Sequence, residues 1–218
     1  LIKFDEFFVT SLGLSLGDGL NNPSIGNSHY NFVNTNFELV SLIYAWLKTS
    51  FGFDDAAIQL ILRYPANEAV PDAANIKKSF HCKFGLYKDF RSAHTSLTLQ
   101  VSNNVFQSIH SSLFKKLHRT ILSKRTLRRA FLKGLFAAEG HVKHSVYGTL
   151  ESMSFSYNPY VERKLVSFVK SCLEAEGINA TDNKKGLLYF CSYENMIRFY
   201  LLGGLSLHKA KEEKFDGI

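Results

Sequence analysis

The 218-residue sequence predicts an α+β fold of two similar halves, each running α-β-β-α-β-β-α and building its own antiparallel sheet. Three observations predict it. First, Phe8–Gly19 and Ala130–Gly140 both run Gly-Leu-x-x-(Gly/Ala)-(Asp/Glu)-Gly, at an offset of 121 residues. Second, each is followed by an amphipathic segment ending in glycine, Phe37–Gly52 and Val161–Gly177, at an offset of 125 residues. Third, the stretches between them alternate with period two, most cleanly in Ser96-Leu-Thr-Leu-Gln-Val101.

The elements follow in order. Asp5–Leu16 reads as a helix, with acids in its first turn and glycine at its stop. Ser24–Thr35 and Ala56–Tyr64 read as strands, the second rich in β-branched and alternating apolar residues. The stretch 66–78, with Asn67, Pro71 and Asp72, reads as an insertion loop. Asn104–His118 reads as a helix. Ser123 is the expected N-cap of a helix reaching Ala138. Strands are expected around 142–149 and 151–157, a helix over 161–176, strands at 178–181 and 187–191, and a helix over 193–202. The lysine-rich tail after His208 reads as frayed. The halves are therefore expected at 1–118 and 124–218, with a linker at 119–123.

Hydrophobic residues make up 45% and charged residues 21%, which excludes disordered and collagen-like chains. The longest apolar stretch, Leu39–Leu47, falls well short of the roughly 18 residues that span a bilayer. Asp5 and Glu6 directly after Lys3 break a signal-peptide pattern. Leu1 in place of methionine predicts a trimmed N-terminus. Cys82, Cys172 and Cys191 form no CxxC pair, so a reducing intracellular compartment is expected, the cytoplasm of a prokaryote or an organelle matrix. The net charge of +7 favours an anionic partner, nucleic acid first among them. A basic enzyme of another kind would carry the same charge. The run Lys115–Lys133 holds eight Lys or Arg and no acid, the composition of a phosphate-contacting surface or of a solvated helix face.

The repeated segment carries the chemistry. Small residues four apart, Gly13 and Gly17 in one copy, Gly134 and Ala138 in the other, lie on one helix face. Two such faces can pack closely, which would bring Asp18 and Glu139 together at the helix ends. Paired carboxylates beside helix C-termini repel one another unless a divalent cation joins them. The carbonyls of Gly17 and Ala138 are further candidate oxygen ligands, and oxygen donors favour magnesium over zinc. That set suits metal-assisted phosphodiester hydrolysis. His141 and His144 have a metal-like spacing but no third ligand nearby. Glu174 and Glu176 read as solvated. No phosphate-cradling loop or Ser/His/Asp ordering is present, and the chain ends lack an intein's splicing residues.

On these residues the sequence resembles the LAGLIDADG homing endonucleases in their single-chain, two-motif form. The nine-residue motif falls on Ser11–Gly19 and Leu132–Gly140. The second copy is the closer match. The first has Ser11 and Ser15 where aliphatic residues are usual. The resemblance implies a pseudo-twofold monomer whose two sheets form a saddle over double-stranded DNA, with the motif helices at the interface. It implies Mg2+, or Mn2+ in its place, held by Asp18 and Glu139, and cleavage of a long asymmetric target to staggered ends. It further implies polar residues ordering water at the second strand of each half, nearest to Asn34 and Asn158, and a basic residue near the scissile phosphate, nearest to Lys143. The family also includes intron maturases that bind RNA, and a DNA-binding protein of the same fold without cleavage is the other alternative. A β-ribbon fits the major groove. The outward candidates for reading DNA are Ser28, Tyr30, Gln59, Arg63, Lys83, Arg91, Thr95, Lys143, Tyr147, Lys184 and Lys185.

Overall fold

The computed structural model describes residues 2–19 and 29–217. It divides into two compact units, one formed by Asp18–Phe114 with the first three residues, the other by Phe4–Gly17 with Lys115–Ile218.

In the first unit, β1 (His29–Asn34), β2 (Ile58–Pro65), β3 (Lys83–Asp89) and β4 (Ser96–Ser102) form a sheet in the order β1-β4-β2-β3. β4 runs antiparallel to both β1 and β2, while β3 is a parallel edge strand on β2. Helix α2 (Phe37–Phe51) packs on β1 and β4. Asn36 caps it, its Oδ1 accepting from the N–H groups of Glu38 and Leu39 at 2.8 and 3.3 Å. Gly52 ends it at φ 70°, a left-handed turn that suits glycine. Alternation places Phe32, Leu60, Leu62, Leu97, Leu99 and Val101 on the buried sheet face, against Leu39, Ile43, Trp46 and Leu47 of α2. Helix α3 (Ala74–Ser79) forms at the end of the stretch 66–78 expected as an insertion loop, and β3 follows beyond it. β3 buries no residue, so it has no apolar period to read; its ladder to β2 holds it.

In the second unit, β5 (Gly140–His144), β6 (Leu150–Ser156), β7 (Thr181–Asp182) and β8 (Leu187–Phe190) form an antiparallel sheet in the order β5-β6-β8-β7. Helices α5 (Arg125–Glu139), α6 (Arg163–Ala175) and α7 (Tyr193–Leu201) complete the expected α-β-β-α-β-β-α order in this half, whereas among the described residues the first half has β1 alone before α2 and β2, β3 and β4 after it; α1 (Glu6–Asp18) lends residues 6–17 to this unit. Helix α4 (Asn104–Ser123) runs straight through the expected linker 119–123. Ser123 is therefore the last residue of α4 and not an N-cap; its hydroxyl donates back to the Thr120 carbonyl. The tail is also ordered, as α8 (Lys209–Asp216), because Phe215 is buried and its ring stacks on Tyr200 at 4.6 Å. One apolar residue in a charged run leaves no periodic signal. Among the described residues no helix is long and apolar enough to cross a membrane.

His110 of α4 lies in the first unit against the rings of Tyr30, Phe106 and Trp46. Burial disfavours its charged form and pushes its pKa down to about 4. The unfolded chain takes up this proton near pH 6.5, the folded chain near 4. His110 thus leaves stability intact above pH 6.5 and removes it as pH falls from 6.5 to 4, by about 3 kcal/mol in full. Urea unfolding at pH 7 and pH 4.5 is expected to show the wild type losing more stability than His110→Phe. An equal loss in both would contradict this assignment.

Candidate functional site

The two motif helices meet at their backbones. A Cβ built on Gly134 would lie 1.9 Å from the Thr10 carbonyl oxygen, and one on Gly13 would lie 2.5 Å from that of Phe131. A Cβ on Gly17 would fall 2.4 Å from the Ala138 Cβ and 3.0 Å from the Glu139 Cγ. No larger side chain fits at these places, so the small-residue stripe is a steric requirement. Buried Ser11 is accommodated because its hydroxyl donates to the Phe7 carbonyl at 2.9 Å.

Each motif helix is followed at once by a bridged glycine, Gly19 in an isolated bridge and Gly140 at the start of β5. In the first unit Gly19 bridges Phe32, and two residues on, Asn34 reaches Asp18. The Asn34 amide nitrogen donates to Asp18 Oδ2 at 2.6 Å, while its oxygen accepts from the Asn36 N–H at 2.6 Å. The second bond fixes which end of the amide faces the carboxylate.

In the second unit Gly140 ends α5 and begins β5, where it pairs with Phe155. The same two-residue step lands on Tyr157, so Asn158, expected as the counterpart of Asn34, is one residue out of register. The Asn158 side chain accepts from the Tyr160 N–H at 3.0 Å and its own N–H donates to Glu162, which uses it to lead into α6. The Tyr157 hydroxyl donates to Asp182; burial and that bond push the phenol pKa up. Glu139, Gly17, Tyr157 and Glu162 share an otherwise mostly apolar cavity of about 20 Å3, room for about one water.

The Ala138 carbonyl, expected as a metal ligand, accepts from Lys211 Nζ at 3.2 Å. Lys143 is exposed on β5 and paired with Glu151 at 2.8 Å. Glu176, expected as solvated, is buried among Arg128, Arg129 and Arg125 at 2.5, 2.9 and 3.5 Å. Burial would raise its pKa, but hydrogen bonds from Arg129 and Arg128 outweigh this and hold it low. Two of the eight cations in the basic run, Arg128 and Arg129, are thus hydrogen-bonded to an internal carboxylate, and Arg125 pairs with it from the surface. His141 is exposed, and its pKa is lowered by desolvation first and by Lys211 and Lys214 second.

Register defines the outward sheet faces. In the first unit Asn31, Gln100, Gln59 and Lys83 are paired in a row across four strands. Arg63 lies on this face, its Nε donating to the Thr98 hydroxyl at 2.9 Å and its guanidinium 5.2 Å from the Tyr87 ring centre. In the second unit His141, Ser154, Tyr189 and Thr181 form the corresponding row, with Lys143 opposite Ser152. Asn31, Gln100, Ser152, Ser154 and Tyr189 were missed; the alternation of β4 already turned Gln100 outward. Tyr30 is corrected: it is 2% exposed, on the core side against Phe106 and His110. Ser28 lies outside the described residues. Arg91 and Thr95 lie in the β3–β4 connection, Tyr147 at the β5–β6 hairpin tip, and Lys184 and Lys185 in the β7–β8 turn.

Residues 126–203 match the family model described as a LAGLIDADG-like domain. Solved structures of the same fold include mesophilic variants of the homing endonuclease I-DmoI, with TM-score 0.53 and 17% identity over 90% of this chain and 94% of that one. I-DmoI in complex with DNA and Ca gives 0.51 and 17% over 89% and 86%. I-DmoI has also been solved with DNA and Mn, and as a variant with its target DNA in the presence of Mg. Full-length DUF199/WhiA from Thermatoga maritima gives 0.56 and 13% over 100% of this chain and 61% of that one. No curated protein matches. The chain has the LAGLIDADG fold, and its second half carries a LAGLIDADG-like domain.

The seam makes a direct prediction. Gly134→Ala drives a methyl carbon into the Thr10 carbonyl and is expected to cost about 3 kcal/mol. Gly85→Ala, whose Cβ would meet nothing nearer than Gln59 Nε2 at 3.8 Å, is expected to cost under about 1 kcal/mol. Denaturant midpoints of the two variants check this order.

Proposed function

We propose that the protein is a site-specific, magnesium-dependent endonuclease that cuts both strands of a long asymmetric duplex as a monomer, leaving staggered ends. The observation that carries the reading is an acid directly at the end of each motif helix, with Asp18 oriented by the Asn34 amide at 2.6 Å. A bare LAGLIDADG fold would not need either acid, since a carboxylate facing phosphate weakens DNA binding.

The donor set fits a hard cation. Asp18, Glu139 and the Gly17 carbonyl offer oxygen only. Among the described residues no group of three or more His, Cys, Asp and Glu could hold a metal. Asp18, Glu139 and the Gly17 carbonyl would hold a magnesium ion, which would leave coordination positions for phosphate and water. When bound it polarises the phosphate and makes a coordinated water more acidic. Asn34 keeps one Asp18 oxygen in place by donating to Oδ2. The small cavity beside Glu139 has room for a water at the acid. Lys143 is the candidate to approach the scissile phosphate, and doing so means leaving its exposed partner Glu151, a weak pair. The outward rows, Gln59, Lys83 and Arg63 on one sheet and Lys143 on the other, would read base edges in the major groove.

The test uses the DNA that would flank the protein's own coding element once that element is removed. Cutting is expected from the wild type in magnesium, none with EDTA, and at least about a hundredfold less from Asp18→Asn or Glu139→Gln. Both variants should still bind the duplex in calcium. Binding by every form with cutting by none would replace this reading with a DNA-binding protein. Tight binding to the folded intron RNA instead would indicate a maturase.

A further inference from the structure

The last carbonyls of any helix lack a partner within it, and their dipoles leave that end negative. At the end of α5 one lysine from another helix meets this need. Lys211 of α8 directs Nζ at three consecutive carbonyls, those of Phe136 at 2.9 Å, Ala137 at 2.7 Å and Ala138 at 3.2 Å. An ammonium has three protons, enough for one to each of these carbonyls. The same Nζ lies 5.6 Å from the Phe136 ring centre, within cation–π range. The Gly140 N–H closes on the Phe136 carbonyl too.

These bonds surround the residue before Glu139. The Glu139 side chain is already confined on one side, where its Cγ approaches Gly17 closely. A last turn free to fray would let the carboxylate leave that position. α8 packs on β5, which starts where α5 stops, so the lysine is delivered by an element braced on the same segment. Burial of Phe215 anchors α8. Lys211 also lies beyond residues 126–203, the span matched by the LAGLIDADG-like domain.

We infer that Lys211 is a positioning residue for Glu139: by binding the last three carbonyls before it, α8 locks the end of the second motif helix. The catalytic side of this inference rests on the endonuclease reading above; the locking of the helix end does not.

Lys211→Met, Lys211→Arg and the control Lys209→Met, a surface lysine on the same helix, are compared in the full-length protein. Amide hydrogen exchange reads the lock without any need for cleavage. Lys211→Met is expected to speed exchange at Gly140 and His141 about tenfold or more, with Lys211→Arg restoring most of the protection and Lys209→Met changing nothing. On cleavable DNA, Lys211→Met is expected to lower kcat about tenfold with KM unchanged, again rescued by Lys211→Arg. Unchanged exchange in Lys211→Met overturns the inference. So does faster exchange with an undiminished kcat. If Lys211→Met fails to fold, protection at Gly140 in Lys211→Arg decides, and a wild-type rate there supports the lock while a tenfold rise overturns it. A wild type that cuts nothing defeats the endonuclease reading instead, and exchange alone then judges the lock.

Discussion

The contact on which the second unit depends is backbone against backbone. Where Gly134 faces the Thr10 carbonyl and Gly13 faces that of Phe131, there is no space for a methyl group. That closeness fixes how far each helix can slide or turn on the other, because backbone meets backbone at Gly13 and Gly134. The ends of α1 and α5 inherit this precision. The end of α5 passes without a loop into β5, and the residue after α1 bridges β1, so helix placement and strand register are set together. Acids placed there need no support from flexible connections.

Much of this was legible, and the reason is repetition. A single glycine stripe is a common helix feature, but two copies at nearly equal offsets, each followed by strands and an amphipathic helix, leave few other folds. The α2 and α6 helices and the β4 alternation were readable because each buries one regular face. What escaped has the opposite character. β3 has no buried face, and α8 shows one apolar residue in a charged run. Glu176 looked like a solvated helix-end acid because its arginines come from far away in sequence. The Asn34 position was readable from its nearness to the strand end, whereas Tyr157 could be placed only once Gly140 was seen to pair with Phe155. Lys211 acts across a distance in sequence that no local pattern reports.

Charge is divided between internal and external uses. Glu176 gathers Arg125, Arg128 and Arg129, joining the start of α5 to the end of α6. A buried carboxylate with one partner removed is costly, so this group must remain complete. Lys211 serves the opposite end of α5. The motif helix is therefore held at both ends by cations directed inward. Arg128, 10% exposed and held by Glu176, is withdrawn from an external anion, whereas Arg125 remains 71% exposed.

The assignment of α1 to the second unit has a consequence for how the chain is made. Synthesis runs from the N-terminus, and domains commonly fold in the order in which they emerge. Here α1 completes a unit whose remaining parts are made only after residues 18–114. Phe8, Val9, Leu12 and Leu14, all buried at the end, must wait through translation of the entire first unit before α5 exists to receive them. Contacts so distant in sequence slow folding. During that interval the nascent protein presents an apolar helix with no place to dock, the kind of segment on which chaperones act.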